Sequence, residues 1–421
     1  MSKTILIGCI ADDFTGASDA ASFLVKGGLR TILFNGVPKQ DLDVDCDAAV
    51  IALKTRSCAR ETAVADSLEA VDWLKAHGTR QFYSKYCSTF DSTPKGNIGP
   101  ILDAVLEKLG QRCTVLCPAL PVNKRTVKDG ILYVNGVPLG ESPMKNHPLN
   151  PMWDSDLAVL MKPQSKYPCI KVSAELMQQG KAAVQKYLEE HMRGQEHYYI
   201  IPDYYEDAHA ELIAELFGDL TLLSGGSGIL TALGIRALGR TEKQRMIPTA
   251  TSGRGIVIAG SCSVATRGQI EEFRKNGGFL YKMDPLKLID GTESAETIWA
   301  EVGEKDAFLI YSSDTPEEVD RVHAAVGEKA SEYLEKTSAR LAVLARHAGF
   351  NRIIIAGGET SGAVTQALGY NAYWIGESIA AGVPVMAPLE HPDVRLVLKS
   401  GNFGQPDFFL RALKMTSGEE L

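Results

Sequence analysis

Short apolar runs rich in β-branched residues recur along the 421-residue chain, separated by stretches with helical spacing. In the first half the runs are "TILIGCI", "RTILFN", "AAVIAL", "QFYS", "CTVLC", "HYYIIP" and "LTLLS". The second half continues with "GIVIAG", "GGFLYKM", "AFLIYSS", "RIIIAGG" and "VRLVLKSG". This alternation predicts an α/β protein of two domains, each a largely parallel sheet flanked by helices. Between the runs, Ser173 to Arg193 places Leu176, Gly180, Ala183, Val184, Tyr187 and Leu188 on one face. The spacing predicts one helix, started by Ser173 and stopped by Gly194.

Two segments interrupt the pattern. "GRTEKQRMIPTATSGRG", residues 239–255, is polar and lacks helical period, so it reads as a linker with the boundary near residue 250. The domains are then residues 1–245 and 250–421. Residues 118–170 carry eight prolines and the hairpin-like "GILYVNGVPL" with its Asn-Gly turn. They predict a β-rich insertion in the N-terminal domain, and long irregular insertions of this kind commonly serve as lids or binding loops.

Composition narrows the class. Apolar residues at 45% and charged residues at 23% describe a globular protein. The net charge of −8 argues against a general nucleic-acid or membrane surface, so an anionic ligand needs local cationic pockets. Cysteines 9, 46, 58, 87, 113, 117, 169 and 262 show no metal-ligand spacing and read as reduced, buried thiols. The first apolar run ends at Asp12 and Asp13, too soon for a signal peptide or a membrane span, and a cytoplasmic protein is expected. A homo-oligomer is compatible with such a chain. Trp73, Trp153, Trp299 and Trp374 read as packing residues, with Trp153 and His147 in the insertion as candidates for covering a ligand.

In open parallel sheets ligands bind beyond the carboxyl ends of strands, and those positions here are polar. After "TILIGCI" come Asp12 and Asp13, which can take a proton or, read more plainly, supply a helix cap and a solvated neighbour. Arg56 follows the third run; Lys85, Ser88 and Asp91 follow the fourth. Arg56 and Lys85 can grip a carboxylate, and each can equally be a surface cation. Lys124 and Arg125 are weaker candidates of the same kind. The turn "SGGSG" at 224–228 offers amides to an anion or is a structural glycine turn.

The second half repeats a strand, glycine turn and helix start at Gly260-Ser261-Cys262-Ser263 and at Gly357-Gly358-Glu359-Thr360-Ser361-Gly362. Such turns let the backbone approach a phosphate at the positive end of a helix. A third glycine loop, Gly401-Asn402-Phe403-Gly404, follows Lys399, a cation for a phosphate chain. Neither the P-loop nor the dinucleotide fingerprint is present. Carboxylates and cations in one half and glycine loops in the other point to phosphoryl transfer across a cleft.

"IADDFTGASDAA", "KYCSTFDST", "CPALPVNKRTV", "SGGSGI", "GSCSVAT", "AGGETSGAV" and "LKSGNFG" occur in order along the chain and resemble the four-carbon acid sugar kinase family. The resemblance implies an N-terminal acid-sugar domain and a C-terminal ATP domain that phosphorylate the terminal hydroxyl of a four-carbon sugar acid. Through "ESPMKNHPLNP" it points to the branch acting on a 3-oxo acid, since relatives acting on threonate or erythronate tend to carry Asp-Pro where this chain has His147-Pro148. Carried over by motif, Asp12 and Asp13 face the acid, and Arg56, Lys85, Ser88 and Asp91 hold it. Ser261, Ser263, Gly357, Gly358, Glu359, Thr360, Ser361, Gly362, Gly401 and Gly404 contact ATP, joined by Lys399 and Asn402. Asp12, with Asp13 second, is expected to take the hydroxyl proton, while Mg²⁺ bridges the β- and γ-phosphates. Domain closure would exclude water. A D-threonate or D-erythronate kinase, an aspartyl-phosphate phosphatase and a non-catalytic sugar-acid sensor remain open at this point.

Overall fold

Most of the apolar runs become strands buried on both faces; Phe279–Lys282, from "GGFLYKM", is only half-buried. A computed structural model describes residues 4–39, 45–146, 150–239 and 247–418, and the chain divides into two compact units, Met1–Arg245 and Met246–Leu421. His147, Pro148 and residues 240–246 of the expected linker lie outside the described residues.

In the first unit β1 (Ile7–Ala11), β2 (Thr31–Asn35), β3 (Ala48–Ala52) and β4 (Gln81–Lys85) pair in parallel with one another. All five residues of β1 and of β3 are buried, which is why the sequence shows continuous apolar runs rather than alternation. The helix Phe14–Lys26 buries Ala17, Ala20, Ala21 and Leu24. A separate parallel sheet contains β5 (Cys113–Val115), and the insertion supplies an antiparallel hairpin of β6 (Arg125–Lys128), β7 (Ile131–Val134) and β8 (Val137–Pro138). In the small parallel sheet β10 (Tyr198–Pro202) lies between β5 and β9 (Cys169–Val172). β11 (Leu222–Gly225) returns beside β4.

The expected single helix from Ser173 to Arg193 is two. Ser173 caps the first, Ala174–Gln178, and the second is Lys181–His191. Between them Gly180 has φ +88°, a left-handed conformation that ends one helix and resets the axis of the next. The apolar period survives the break because Val184 and Leu188 alone carry the second helix's buried face.

In the second unit the strands are β12 (Arg254–Ala259), β13 (Phe279–Lys282), β14 (Ala307–Tyr311), β15 (Phe350–Ala356), β16 (Ala372–Ala380), β17 (Val383–Pro388) and β18 (Arg395–Lys399). β18, β15, β12, β14 and β13 run parallel in that order, while β17 is antiparallel to both β16 and β18. Val257, Leu309, Ile354 and Val397 from four neighbouring strands meet Phe408 and Phe409 of the helix Phe408–Ser417 in the core. Their common direction puts the carboxyl ends of β12, β15 and β18 at one edge.

Candidate active site

In the first unit, parallel register sets Ala11, Ala52 and Lys85 side by side at the ends of β1, β3 and β4. The loops beyond them are tied by backbone bonds: the Asp12 N–H donates to the Lys85 carbonyl at 3.1 Å, and the Thr55 N–H to the Asp12 carbonyl at 3.1 Å. Arg56 is thereby placed against Asp12, and its Nε and Nη2 each donate at 2.8 Å to the two carboxylate oxygens. Its Nη1 lies 3.1 Å from Asp13 Oδ2. Asp13 caps the helix Phe14–Lys26, accepting from the Gly16 N–H at 2.6 Å. The cap reading therefore holds for Asp13, whereas Asp12 is a buried, paired carboxylate and not a solvated neighbour. Arg56 does not stand open for a ligand carboxylate, because Asp12 fills its fork.

Lys85 is likewise turned inward. Its Nζ donates to the Tyr86 carbonyl at 3.0 Å and lies 3.9 Å from Asp19 Oδ2, with the residue 4% exposed. Asp19 accepts from the Ser227 hydroxyl. Asp19, one turn and more into the helix Phe14–Lys26, did not stand out in sequence, and Ser227 did so only as part of the "SGGSG" turn. Burial pushes the carboxyls of both Asp13 and Asp19 upward, against the opposing pull of Arg56 on Asp13 and of Lys85 on Asp19. The Asp13 side chain is 34% exposed and that of Asp12 10%, so Asp13 is the carboxylate a ligand can touch.

Asp91 joins Asp12, Arg56 and Lys85 around a cavity of about 20 Å³, room for a single water. Ser88 lies beside the "SGGSG" turn. That turn is structural: a Cβ at Gly225, Gly226 or Gly228 would meet the carbonyl oxygens of Cys117, Pro118 and Ala119 respectively. The Ser224 hydroxyl is tied to the Val115 carbonyl at 2.6 Å. Lys124, at φ +59°, turns the chain, and the Arg125 guanidinium donates to the Asn123 carbonyl.

In the second unit the three glycine loops are laced together. The Gly260 and Ser261 N–H groups donate to the Ala356 carbonyl at 2.9 and 3.1 Å, and the Gly357 N–H to the Lys399 carbonyl at 3.0 Å. Gly260, Ser261, Cys262 and Gly357 to Thr360 border a cavity of about 680 Å³, of the size that holds a small-molecule ligand. Gly358, Glu359 and Thr360, which line it, are the first three residues of the helix Gly358–Leu368, whose N-terminal amides have no intrahelical acceptor. Lys282, Met283 and Asp284 also border it; Lys282 ends β13 and the other two follow it directly, so the strand-end rule that found the other loops could have found them. Ser361 is buried and Gly362 exposed, and neither borders the cavity.

Lys399 departs from its expected role. It is 1% exposed, and its Nζ donates to Thr266 Oγ1 at 2.9 Å and to the carbonyls of Ser400 and Gly401 at 3.2 and 2.9 Å. Burial lowers its pKa to about 8. The ammonium is thus inside the loop rather than offered to a phosphate. Ser263 is engaged similarly, capping the helix Val264–Lys275 and donating to the Gly401 carbonyl at 2.6 Å. Gly404, at φ +84°, turns the chain over the Phe408 ring, and Asn402 is exposed. The cysteines are free thiols as expected, but not all buried: Cys262 is exposed at the cavity edge. Among the described residues no three His, Cys, Asp or Glu side chains cluster as metal ligands.

Two family models match the chain, a "Sugar-binding N-terminal domain" over residues 7–233 and a "Nucleotide-binding C-terminal domain" over residues 256–409. A 3-oxo-tetronate kinase of Pectobacterium atrosepticum is 44% identical, covering 97% of this chain and 99% of that protein. A 3-oxo-tetronate kinase of Brucella melitensis is 43% identical over 98% of this chain and 96% of its own length. Among solved structures, a Haemophilus influenzae protein is 42% identical with a TM-score of 0.84, covering 96% of this chain and 98% of its own. A Salmonella typhimurium protein is 39% identical with a TM-score of 0.91, covering 98% and 100%.

Proposed function

The chain belongs to the four-carbon acid sugar kinase family, and from that premise we propose that it transfers the γ-phosphoryl group of ATP to the C4 hydroxyl of 3-oxo-tetronate. The observation that carries the reading is the pairing of Arg56 with Asp12 and Asp13 at the strand ends of a unit matched by a sugar-binding family model.

Phosphoryl transfer asks little covalent chemistry of a protein; positioning and charge neutralisation dominate. Asp13 takes the C4 hydroxyl proton as the oxygen attacks the γ-phosphorus and the bond to ADP breaks. Its raised pKa suits a base, and its side chain is the more exposed of the pair. Asp12 accepts both hydrogen bonds of the Arg56 fork and fixes the guanidinium beside Asp13. The second N–H of Arg56 Nη1 and the Ser88 and Asp91 side chains hold the acid's polar groups, while Lys85 offsets the negative charge of the cluster from within. Gly357 to Thr360 and the loop at Gly401 hold the nucleotide through backbone amides. Mg²⁺ bound with ATP would supply charge neutralisation on the phosphates, keeping several of its own waters. The reading places the protein in the cytoplasm.

The test is steady-state kinetics with ATP over 3-oxo-tetronate, D-threonate and D-erythronate. The highest kcat/KM is expected for 3-oxo-tetronate; a clear preference for either other acid moves the assignment within the family.

A further inference from the structure

The Gly401 carbonyl oxygen accepts three side-chain hydrogen bonds: from Ser263 Oγ at 2.6 Å, Thr266 Oγ1 at 2.9 Å and Lys399 Nζ at 2.9 Å. A carbonyl oxygen has two lone pairs, so three donors on one loop carbonyl fix its direction. Lys399 also bonds Thr266 Oγ1, which makes the three donors one network. Glycine at 401 leaves this room, since a Cβ there would press on the Ser261 and Ser263 side chains. The ammonium has no carboxylate partner among the described residues and is held by hydroxyl and carbonyl oxygens alone.

Peptide planarity converts this inward pull into an outward effect. In a trans peptide the C=O of Gly401 and the N–H of Asn402 point in opposite directions. With the carbonyl drawn into the protein, the N–H faces the exposed side of the loop, where Asn402 itself is exposed. Among the described residues that N–H makes no hydrogen bond.

We propose that Lys399, with Ser263 and Thr266, is a positioning residue that holds the Gly401 carbonyl inward and so aims the Asn402 N–H at the phosphate chain of the nucleotide. The inference rests on the kinase reading but adds a division of labour to it: Lys399 acts on phosphate through a peptide plane, not by contact. Its charge tightens the grip on the carbonyl, and its burial keeps that charge from being screened.

The experiment is calorimetric binding of ADP and of adenosine to the full chain and to its Lys399→Met and Thr266→Val variants. Hydrogen bonds to charged groups are strong enough that loss of an aimed amide weakens ADP about tenfold. Adenosine, which lacks phosphate, keeps its affinity, and KM for ATP rises while KM for the acid does not. Thr266→Val removes one donor at nearly constant shape, so it carries the test if Lys399→Met fails to fold. If both foldable variants keep ADP affinity, or lose ADP and adenosine in the same proportion, the inference is overturned and the kinase reading stands. If the unsubstituted chain binds neither ligand, both fall.

Discussion

Arg56 and Asp12, 44 positions apart, meet through two parallel hydrogen bonds of 2.8 Å. A planar guanidinium can make that contact and a lysine ammonium cannot. Arg56→Lys is therefore expected to lower kcat/KM about a hundredfold by releasing both carboxylates, given the cost of misplaced catalytic groups. Arg56→Ala leaves a buried charge unpaired; because the pair is partly exposed, the loss is about 2 kcal/mol, less than for a fully buried pair. Steady-state kinetics of Arg56→Lys measures the first effect and chemical denaturation of Arg56→Ala the second.

Asp13→Asn separates capping from chemistry. Asparagine caps a helix as well as aspartate, so stability should hold while kcat falls at least about a hundredfold, the scale of general-base catalysis. A kcat within tenfold of the unsubstituted enzyme would remove Asp13 from its role and return attention to Asp12.

The pH profile follows from the same residue. Burial raises the Asp13 carboxyl, so on acidification the base is lost at higher pH than an ordinary aspartate, near 3.9, would allow. The acid limb of kcat should lie clearly above that value. A profile flat down to about pH 4 contradicts it.

Much of this was legible in the sequence, for physical reasons that differ by element. β1, β3, β12 and β15 announced themselves because both faces are buried. β16 and β17 did not: "AYWIGESIA" has Gly376, Glu377 and Ser378 at its centre, and "VPVMAP" has Pro384, which pairs with Ser378 where the register shifts. The strand-end rule found Asp12, Arg56 and Lys85, yet could not tell that the cations face protein carboxylates. Nor could it show that Lys399 points inward, because direction depends on the partners folding brings, Thr266 and Gly401 above all.

Lys399 also predicts a stability trend. Its pKa of about 8 lies below the value of an unfolded lysine, near 10.4, so the unfolded chain holds a proton the native chain has released between those limits. Its contribution to stability therefore rises with pH through that window. Urea midpoints of the unsubstituted chain minus those of Lys399→Met should increase from pH 7.5 to 10; a constant or falling difference contradicts the buried placement.

Cys262 borders the cavity proposed to hold the nucleotide and is exposed, while burial raises Cys9, Cys46 and Cys117 to about 12. N-ethylmaleimide should label Cys262 readily and these three not at all. ADP should slow labelling of Cys262, as read by peptide mass spectrometry; labelling unaffected by saturating ADP would place the nucleotide elsewhere.

The most direct test of the whole account is ³¹P NMR of the chain incubated with ATP, Mg²⁺ and 3-oxo-tetronate, with Asp13→Asn as control. The expected result is a phosphomonoester on the C4 oxygen appearing in step with ADP, and at least about a hundredfold more slowly with the variant. ATP consumption that yields inorganic phosphate alone, or no consumption by a folded chain, would contradict it.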